Sequence, residues 1–441
     1  MIAPLKVGLA GLGTVGIAVK RMLDSERAAL AGRCGRAIDV VAVTARSKNK
    51  QRDADISSCR WLADPVALAR DPEIDVFVEL VGGEDDPAKT AVEAALSAGK
   101  SVVTANKALL AKHGVALAAL AEMSGAALNF EASVGAAIPI VKTLREGLRG
   151  NVIERVYGIL NGTCNYILTR MERERLSFEA CLKEAQRLGY AEADPTFDIE
   201  GFDTAQKLAI LASLAFGTRV DPAAIYVEGI SSIMLADLDA ADELGYRVKL
   251  LGVAVRTETG IEQRVHPTMV PKESSIAQVM GVTNAITVDT AEIDPITLVG
   301  PGAGGMATAS AVVSDIADIA RGVRSAPFGQ PTADLAVSEK APMQRHEGGY
   351  YIRLLARDRP GTAATIATRL AEQNISMESI VQRHRGGRPQ GGDRAGTETA
   401  PVPVILITYA TTEDAVRKAL AAVEADGVIA ETPQLIRIEK D

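Results

Sequence analysis

At 441 residues, with 47% apolar and 24% charged side chains, the chain has material for roughly three domains and an ample core. A formal net charge of −8 argues against a general nucleic-acid binder, and every apolar run is broken by charge or glycine short of the roughly 18 residues that a membrane span needs. Cys34, Cys59, Cys164 and Cys181 show no CxxC spacing and His113, His266, His346 and His384 lie far apart, so neither a disulfide framework nor a zinc site is suggested.

Leu5 to Ala10 alternates and is rich in β-formers; it follows the start directly with no cleavable signal, so a cytoplasmic location is expected. It runs into Gly11-Leu12-Gly13-Thr14-Val15-Gly16, after which Ile17 to Leu30 has helical periodicity. In a strand, turn, helix context, Gly11 permits the tight turn, Gly13 lets backbone approach a pyrophosphate and Gly16 allows close helix packing, while the helix N-terminus attracts negative charge. These residues, with Thr14 and Val15, are read as a dinucleotide site; the plain alternative is a glycine turn. Ile38 to Thr44 is the second strand. A site for NAD places an acid at its end, but here Ala45-Arg46-Ser47-Lys48-Asn49-Lys50 follows, with Arg46 and Lys48 suited to a 2′-phosphate. NADP is therefore favoured over NAD, against the bland reading of a solvated basic loop. A strand over Ile74 to Val81, a helix over Pro87 to Ala98, a strand over Ser101 to Thr104 and a helix over Ala108 to Met123 predict a doubly wound parallel sheet. Ligands gather at the C-terminal strand ends of such sheets, where Thr104, Asn106 and Lys107 stand, which makes Lys107 a candidate to face nicotinamide and substrate.

A strand ending at Phe130-Glu131 opens into the small-residue turn Ala132 to Pro139, where a carboxylate and exposed carbonyls offer an oxygen-only site for a hard monovalent cation. Farther on, Gly189 to Asp198 is loop-like and acidic, and Gly201 to Leu211 (GFDTAQKLAIL) has a helical pattern. Asp203 and Lys207 are four apart and share one helix face at the edge of the stripe formed by Ala205, Leu208, Ala209 and Leu211. That spacing also suits an ordinary salt bridge. Glu192, Asp198 and Asp203 would surround a cationic amine while Lys207 meets an oxygen, a polarity that suits an amino-acid-like substrate. The glycine run Gly300 to Gly305, including Gly304, precedes a helix over Ala307 to Arg321 and offers amides to the cofactor. From Arg321 to Gly349 the text is loop-like and reads as a linker. Then come a strand (Tyr350 to Ala356), a helix (Thr362 to Gln373), strands (Ile375 to Gln382 and Val402 to Tyr409), a helix (Glu413 to Glu424) and a strand (Val428 to Ile438). This is a βαββαβ module with a Gly/Arg-rich insertion, Arg383 to Pro401, expected to be a mobile hairpin tip.

The blocks GLGTVG, VTANK (Val103 to Lys107), FEASV (Phe130 to Val134), GILNGTCNYIL (Gly158 to Leu168), GYAEADP (Gly189 to Pro195), GFDTAQKLAIL and GPGAGG resemble those of the homoserine dehydrogenases, in family order. The resemblance implies NAD(P)-dependent interconversion of L-homoserine and L-aspartate 4-semialdehyde on the route to threonine and methionine. It makes Lys207 the catalytic lysine and proton donor, Lys107 a second active-site lysine, Glu192 and Asp203 substrate ligands, and Glu131, Val134, Ala136 and Ile138 a sodium-binding segment. One departure stands out: Gly135-Ala136-Ala137 replaces the family's paired glycines after the valine. The C-terminal module resembles the ACT domain through ARDRPG (Ala356 to Gly361) and the helix after it, which implies an amino-acid sensor, with threonine as expected effector and homodimers or homotetramers as expected assemblies. Effector contacts are expected at Gly361 and at the Asn374 to Ser376 turn; the alternative is a dimerisation module without ligand.

The expected fold class is therefore α/β with a Rossmann-type sheet over residues 1–135, completed by a helix over 305–321. An α+β catalytic and dimerisation domain over 136–320, a linker over 321–349 and a ferredoxin-like ACT domain over 350–441 follow. No kinase segment precedes the first strand, so a bifunctional enzyme is not expected. One rival within enzymes makes Cys164 the nucleophile of a phosphorylating semialdehyde dehydrogenase, but no histidine base is near it in sequence. Another makes the chain a non-catalytic sensor in which both lysines only bind ligand.

Overall fold

The apolar run Leu5–Ala10 forms β1, and helix and strand alternate after it: α1 (Thr14–Ser25), α2 (Arg27–Cys34), β2 (Ile38–Thr44), β3 (Arg60–Trp61), α3 (Pro65–Arg70), β4 (Val76–Glu79), α4 (Ala88–Ser97), β5 (Ser101–Thr104), α5 (Lys107–Ser124) and β6 (Leu128–Asn129). The computed structural model describes residues 2–337, 341, 347–382 and 401–439. Its first sheet has six parallel strands in the order β3-β2-β1-β4-β5-β6. The order reverses between β1 and β4, which opens the crevice used for ligands in doubly wound sheets. The single helix expected over Ile17 to Leu30 is two helices, broken at Glu26 (φ −97°, ψ 11°), with no glycine or proline to mark the break. The turn brings Leu30 and Cys34 into the core that Val19 and Leu23 already occupy.

The middle of the chain holds α6 (Ile140–Lys142) with a π-helical turn, β7 (Ile153–Ile159), α7 (Gly162–Glu174), α8 (Phe178–Arg187), α9 (Thr196–Ile199), α10 (Phe202–Phe216), β8 (Tyr226–Val227), α11 (Leu235–Glu243), β9 (Tyr246–Thr257), β10 (Gly260–Pro271), β11 (Thr283–Thr290), β12 (Ile296–Pro301) and α12 (Gly305–Ala320). Helix α10 packs on β7, β9 and β10 and, on its other side, on α5. It lies so close to β9 that a Cβ on Gly252 would stand 3.0 Å from the Leu160 and Thr204 side chains. Helix α12 returns to the first sheet along α1, adding Val312 and Ile316 to the core of Leu9 and Val19. Beyond it the chain docks tightly: Phe328 is buried against Phe130, ring centroids 5.3 Å apart, and Leu335 is buried too. Among the described residues no helix is long and apolar enough to cross a membrane.

The C-terminal module comprises β13 (Glu347–Ala356), α13 (Thr362–Glu372), β14 (Met377–Gln382), β15 (Val402–Thr408), β16 (Thr411–Thr412), α14 (Glu413–Ala425) and β17 (Gln434–Ile438). Its strand order, β17-β13-β15-β14, is ferredoxin-like. The last strand was expected from Val428 but starts at Gln434, directly after Pro433, which has no amide to donate; Ile429 makes only an isolated bridge to Ala356. The hairpin tip expected at Arg383 lies outside the described residues. Gly361 (φ 94°) and Asn374 (φ 55°) stand just beyond opposite ends of α13, about 16 Å of helix apart.

The sequence gives no sign that this module shares a sheet with the middle of the chain. Strand β17 pairs in parallel with β10, Thr268 opposite Arg437 and Met269 opposite Ile438, so eleven strands form one sheet. The seam is sealed by buried charge. Arg437, 1% exposed, bonds both Glu413 oxygens at 2.6 and 2.7 Å and Glu228 at 2.6 Å. Asp237, fully buried on α11, accepts from Arg353 Nε at 2.7 Å and the Tyr351 hydroxyl at 2.9 Å on β13. Removing one partner of such a pair strands the other, at a cost of about 3 to 5 kcal/mol. Arg437→Leu is therefore expected to lower the urea midpoint of the C-terminal module sharply, and adding Glu413→Leu to recover part of the loss.

Candidate active site

Strand β7 ends at Ile159, Leu160 follows it, and Asn161 caps α7 by accepting the Cys164 amide at 2.8 Å. This corner meets α10. Lys207 Nζ donates to the Leu160 carbonyl at 2.7 Å and to Asp203 Oδ2 at 2.8 Å, so the i,i+4 pair read from sequence is real but serves a larger cluster. Lys107 Nζ, from the first turn of α5, stands 3.3 Å from Asp203 Oδ1. The Asn161 amide donates to Asp203 Oδ2 and to Asp198 Oδ1, each at 2.9 Å. Burial works to raise the Asp203 pKa, but Lys207 and Lys107 outweigh it and hold the carboxyl down at about 2. Asp198 goes the other way, raised by burial and by Asp203.

Lys107, Lys207, Asp198 and Asp203 are thus brought together. Glu192 is not: it stands exposed on the loop after α8, and its carboxylate makes no hydrogen bond or ion pair among the described residues. Asn161, central to the cluster, was not among the sequence candidates; its signals were an Asx residue before a helical run and its place in the block GILNGTCNYIL. Cys164 cannot serve as a ready nucleophile. It is fully buried, its thiol donates to the Asp198 carbonyl at 3.2 Å, and burial pushes its pKa well up.

At the switch point, Gly11 has φ 100°, and a Cβ on it would run into the Leu80 carbonyl, as one on Gly16 would run into the Gly11 carbonyl. Gly13 caps α1 and has open space above it, and Thr14 and Val15 follow in the first turn. The cradle thus fits a pyrophosphate. Gly304 (φ 113°) caps α12, whose Gly305 lies against Thr14, so two helix N-termini converge. Arg46 and Lys48 are exposed on the loop after β2, whereas Lys50 and Arg52 line the cleft with Gly13 and Thr14. Arg52 pins that loop by donating to the Ser47, Lys48 and Lys50 carbonyls, the last at 2.7 Å, a role the sequence did not disclose. Thr104 is fully buried: its hydroxyl donates to Glu79 Oε2 at 2.6 Å, and Glu79 Oε1 accepts from the Val81 and Gly82 amides at 2.7 and 2.9 Å. The side chain therefore braces the turn beside Lys107 and does not face the crevice.

Glu131 is buried and accepts the Val141 and Lys142 amides at 2.8 and 2.9 Å. Burial and Asp315 raise its pKa to about 7, so the spot favours added positive charge. Ala136 adopts φ 47°, the left-handed region that glycine would occupy without strain. Among the described residues no backbone hydrogen bond is taken by the carbonyls of buried Val134 and Ala136, whereas that of Ile138 accepts from Ile140 at 2.8 Å. An oxygen donor set with free buried carbonyls fits a hard monovalent cation.

A dinucleotide cradle facing a lysine and carboxylate cluster across one crevice defines an NAD(P)-dependent oxidoreductase. Family models for the homoserine dehydrogenase NAD-binding domain, for homoserine dehydrogenase and for the ACT domain match residues 11–131, 139–317 and 350–425. A homoserine dehydrogenase of Pseudomonas aeruginosa is 44% identical over 444 residues, covering 99% of either chain. The crystal structure of the Thiobacillus denitrificans enzyme superposes with a TM-score of 0.91 at 43% identity, covering 99% of this chain and 98% of that one. A hyperthermophilic archaeal homoserine dehydrogenase in complex with NADPH matches with a TM-score of 0.61 at 26% identity, covering 73% of this chain and 99% of that one. The chain belongs to the homoserine dehydrogenase family.

Two outcomes follow from this geometry. Cys164→Ser, which keeps a donor to the Asp198 carbonyl, is expected to retain turnover within a few-fold in a nicotinamide absorbance assay. Asp203 has a depressed pKa, so its stabilising effect is present above the ordinary carboxylate range and lost as pH falls from about 4 toward 2. The difference in unfolding free energy between wild type and Asp203→Asn should shrink over that acid window in urea titrations.

Proposed function

We propose that this protein reduces L-aspartate 4-semialdehyde to L-homoserine, reversibly and with NADP(H) preferred over NAD(H), on the route to threonine and methionine. The observation that carries the reading is the convergence of Lys207 and Lys107 on one buried carboxylate, Asp203, with Lys107 following β5 of the same parallel sheet whose β1 leads into the dinucleotide cradle. Asp198 and Asp203 bind the substrate ammonium, and Glu192 joins them on the strength of the family resemblance. Lys207 spends two donors on Leu160 and Asp203, which leaves one N–H for the carbonyl oxygen, to which it gives a proton as negative charge develops. Lys107 adds a second positive charge at that oxygen. The nicotinamide, when bound, supplies the hydride.

The pyrophosphate would lie over Gly11, Gly13, Thr14, Val15 and Gly16, with Lys107, Gly304 and the backbone of Thr104, not its side chain, at the nicotinamide end. Arg46 and Lys48 would take the 2′-phosphate; the NADPH complex of the archaeal relative supports that preference. Glu131, Val134, Ala136 and Ile138 would hold Na⁺, a structural charge beneath the crevice. The ACT module, residues 350–441, would sense threonine and support a homodimer or homotetramer, the outer edge of β14 being unpaired among the described residues. The Rossmann unit (1–135, completed by 305–321), catalytic unit (136–320) and linker (321–349) complete the proposed division.

Lys207→Ala should lower kcat by about 100-fold or more with a smaller change in KM, read from nicotinamide absorbance with L-homoserine. Absence of wild-type turnover with either cofactor, in protein shown to bind NADP, would leave the sensor reading instead. Arg46→Ser/Lys48→Ser should raise KM for NADP about ten-fold or more and spare NAD. Added threonine should inhibit, and replacing NaCl by choline chloride at equal ionic strength should lower the melting temperature of wild type but not of Glu131→Gln.

A further inference from the structure

Asn161 stands where three elements meet, and each polar atom of its side chain is committed. Its carbonyl oxygen takes the Cys164 amide, which fixes the orientation of the group, and its two amide protons go to Asp198 on α9 and Asp203 on α10. It is 5% exposed, so these bonds are sheltered from water. The residue before it, Leu160, holds Lys207 through its carbonyl. One corner of backbone therefore sets the position of the acid pair and of the proton donor.

We propose that Asn161 is a positioning residue for the dehydrogenase reaction: its amide clamps Asp198 and Asp203 side by side in the ionised, substrate-binding form and leaves the third N–H of Lys207 free for the substrate oxygen. The need for a clamp is electrostatic. A buried carboxylate and a half-buried one repel, and without a neutral donor between them one would recruit a proton or draw the Lys207 ammonium away from the reacting oxygen. An amide satisfies both carboxylates and adds no charge that would compete with the substrate ammonium. The groups facing the pair are Lys107 from α5, Lys207 from α10 and the Cys164 thiol from α7, which Glu200 just after α9 also faces. Lys107 lies at the more open side of Asp203, so Asn161 is the sheltered contact that spans both acids.

This inference rests on the proposed reaction, so wild-type turnover of L-homoserine is measured first; its absence would sink that reading and not this one in particular. Asn161→Ser and Asn161→Asp both retain an oxygen able to cap α7, while the first loses the two amide donors and the second also adds a carboxylate. Both variants are expected to fold and to bind NADP as wild type does. The serine variant should lose about 100-fold in kcat/KM for L-homoserine, and the acid limb of its kcat/KM profile should move up by about one pH unit, as carboxylates without their donor hold protons longer. The aspartate variant should lose more. Folded variants with rates within two-fold of wild type and an unmoved acid limb would overturn the proposal. Loss of fold in both would assign Asn161 to stability alone and overturn it as well.

Discussion

Asp203 is a carboxylate taken almost wholly out of water and kept ionised by two ammonium groups that arrive from different parts of the chain. Lys207 reaches it from the same helix, and Lys107 comes from the first turn of α5, which belongs to the nucleotide-binding sheet. The ion cluster can exist only if α10 is pressed between α5 and the second sheet, and the bare backbone at Gly252 is what lets it sit so deep. The desolvation penalty is large for each charge taken singly, and it is offset because acid, bases and amide donor arrive together. Packing of the apolar stripe on α10 and the chemistry of its polar edge are thus one requirement on the sequence.

The second sheet ties that helix to the C-terminal module. Glu228, held by Arg437 and Arg417, directly precedes Gly229 and Ile230; the Ile230 amide donates to the Ile199 carbonyl at 2.8 Å, the residue after Asp198. Four residues of backbone therefore separate the buried charge of the module from the acid pair of the crevice. On the opposite flank, Glu79, Thr104 and Asn106 brace the turn at which Lys107 begins its helix.

Local patterns carried much of this architecture. Alternation of apolar runs and the glycine spacing after Ala10 led directly to the parallel sheet and its cradle, and the four-residue interval between Asp203 and Lys207 put both groups on one face. What stayed hidden depends on contacts between residues far apart in the chain. Asn161 is forty-two residues from Asp203 and reads in sequence as a helix cap. Arg52 reads as one more cation in a basic loop, although it spends its guanidinium on the loop's own carbonyls. Glu192, drawn toward the site by its neighbours in an acidic loop, stands outside the cluster, because nearness along the chain does not turn a side chain inward. The β10–β17 pairing involves only two residue pairs and leaves no periodic mark.

That pairing gives the chain an order of assembly. Strand β10 is made long before β17, so during synthesis the part of its outer edge beyond the short β8 pairing, at Thr268 and Met269, emerges with unpaired amides and carbonyls, the kind of edge that recruits foreign strands. The strand that covers it, β17, lies far downstream, and its Arg437 is matched to Glu413 on the helix just before it. Completion of the central sheet thus waits until β17 has been made, and the nascent protein carries an open seam up to that point.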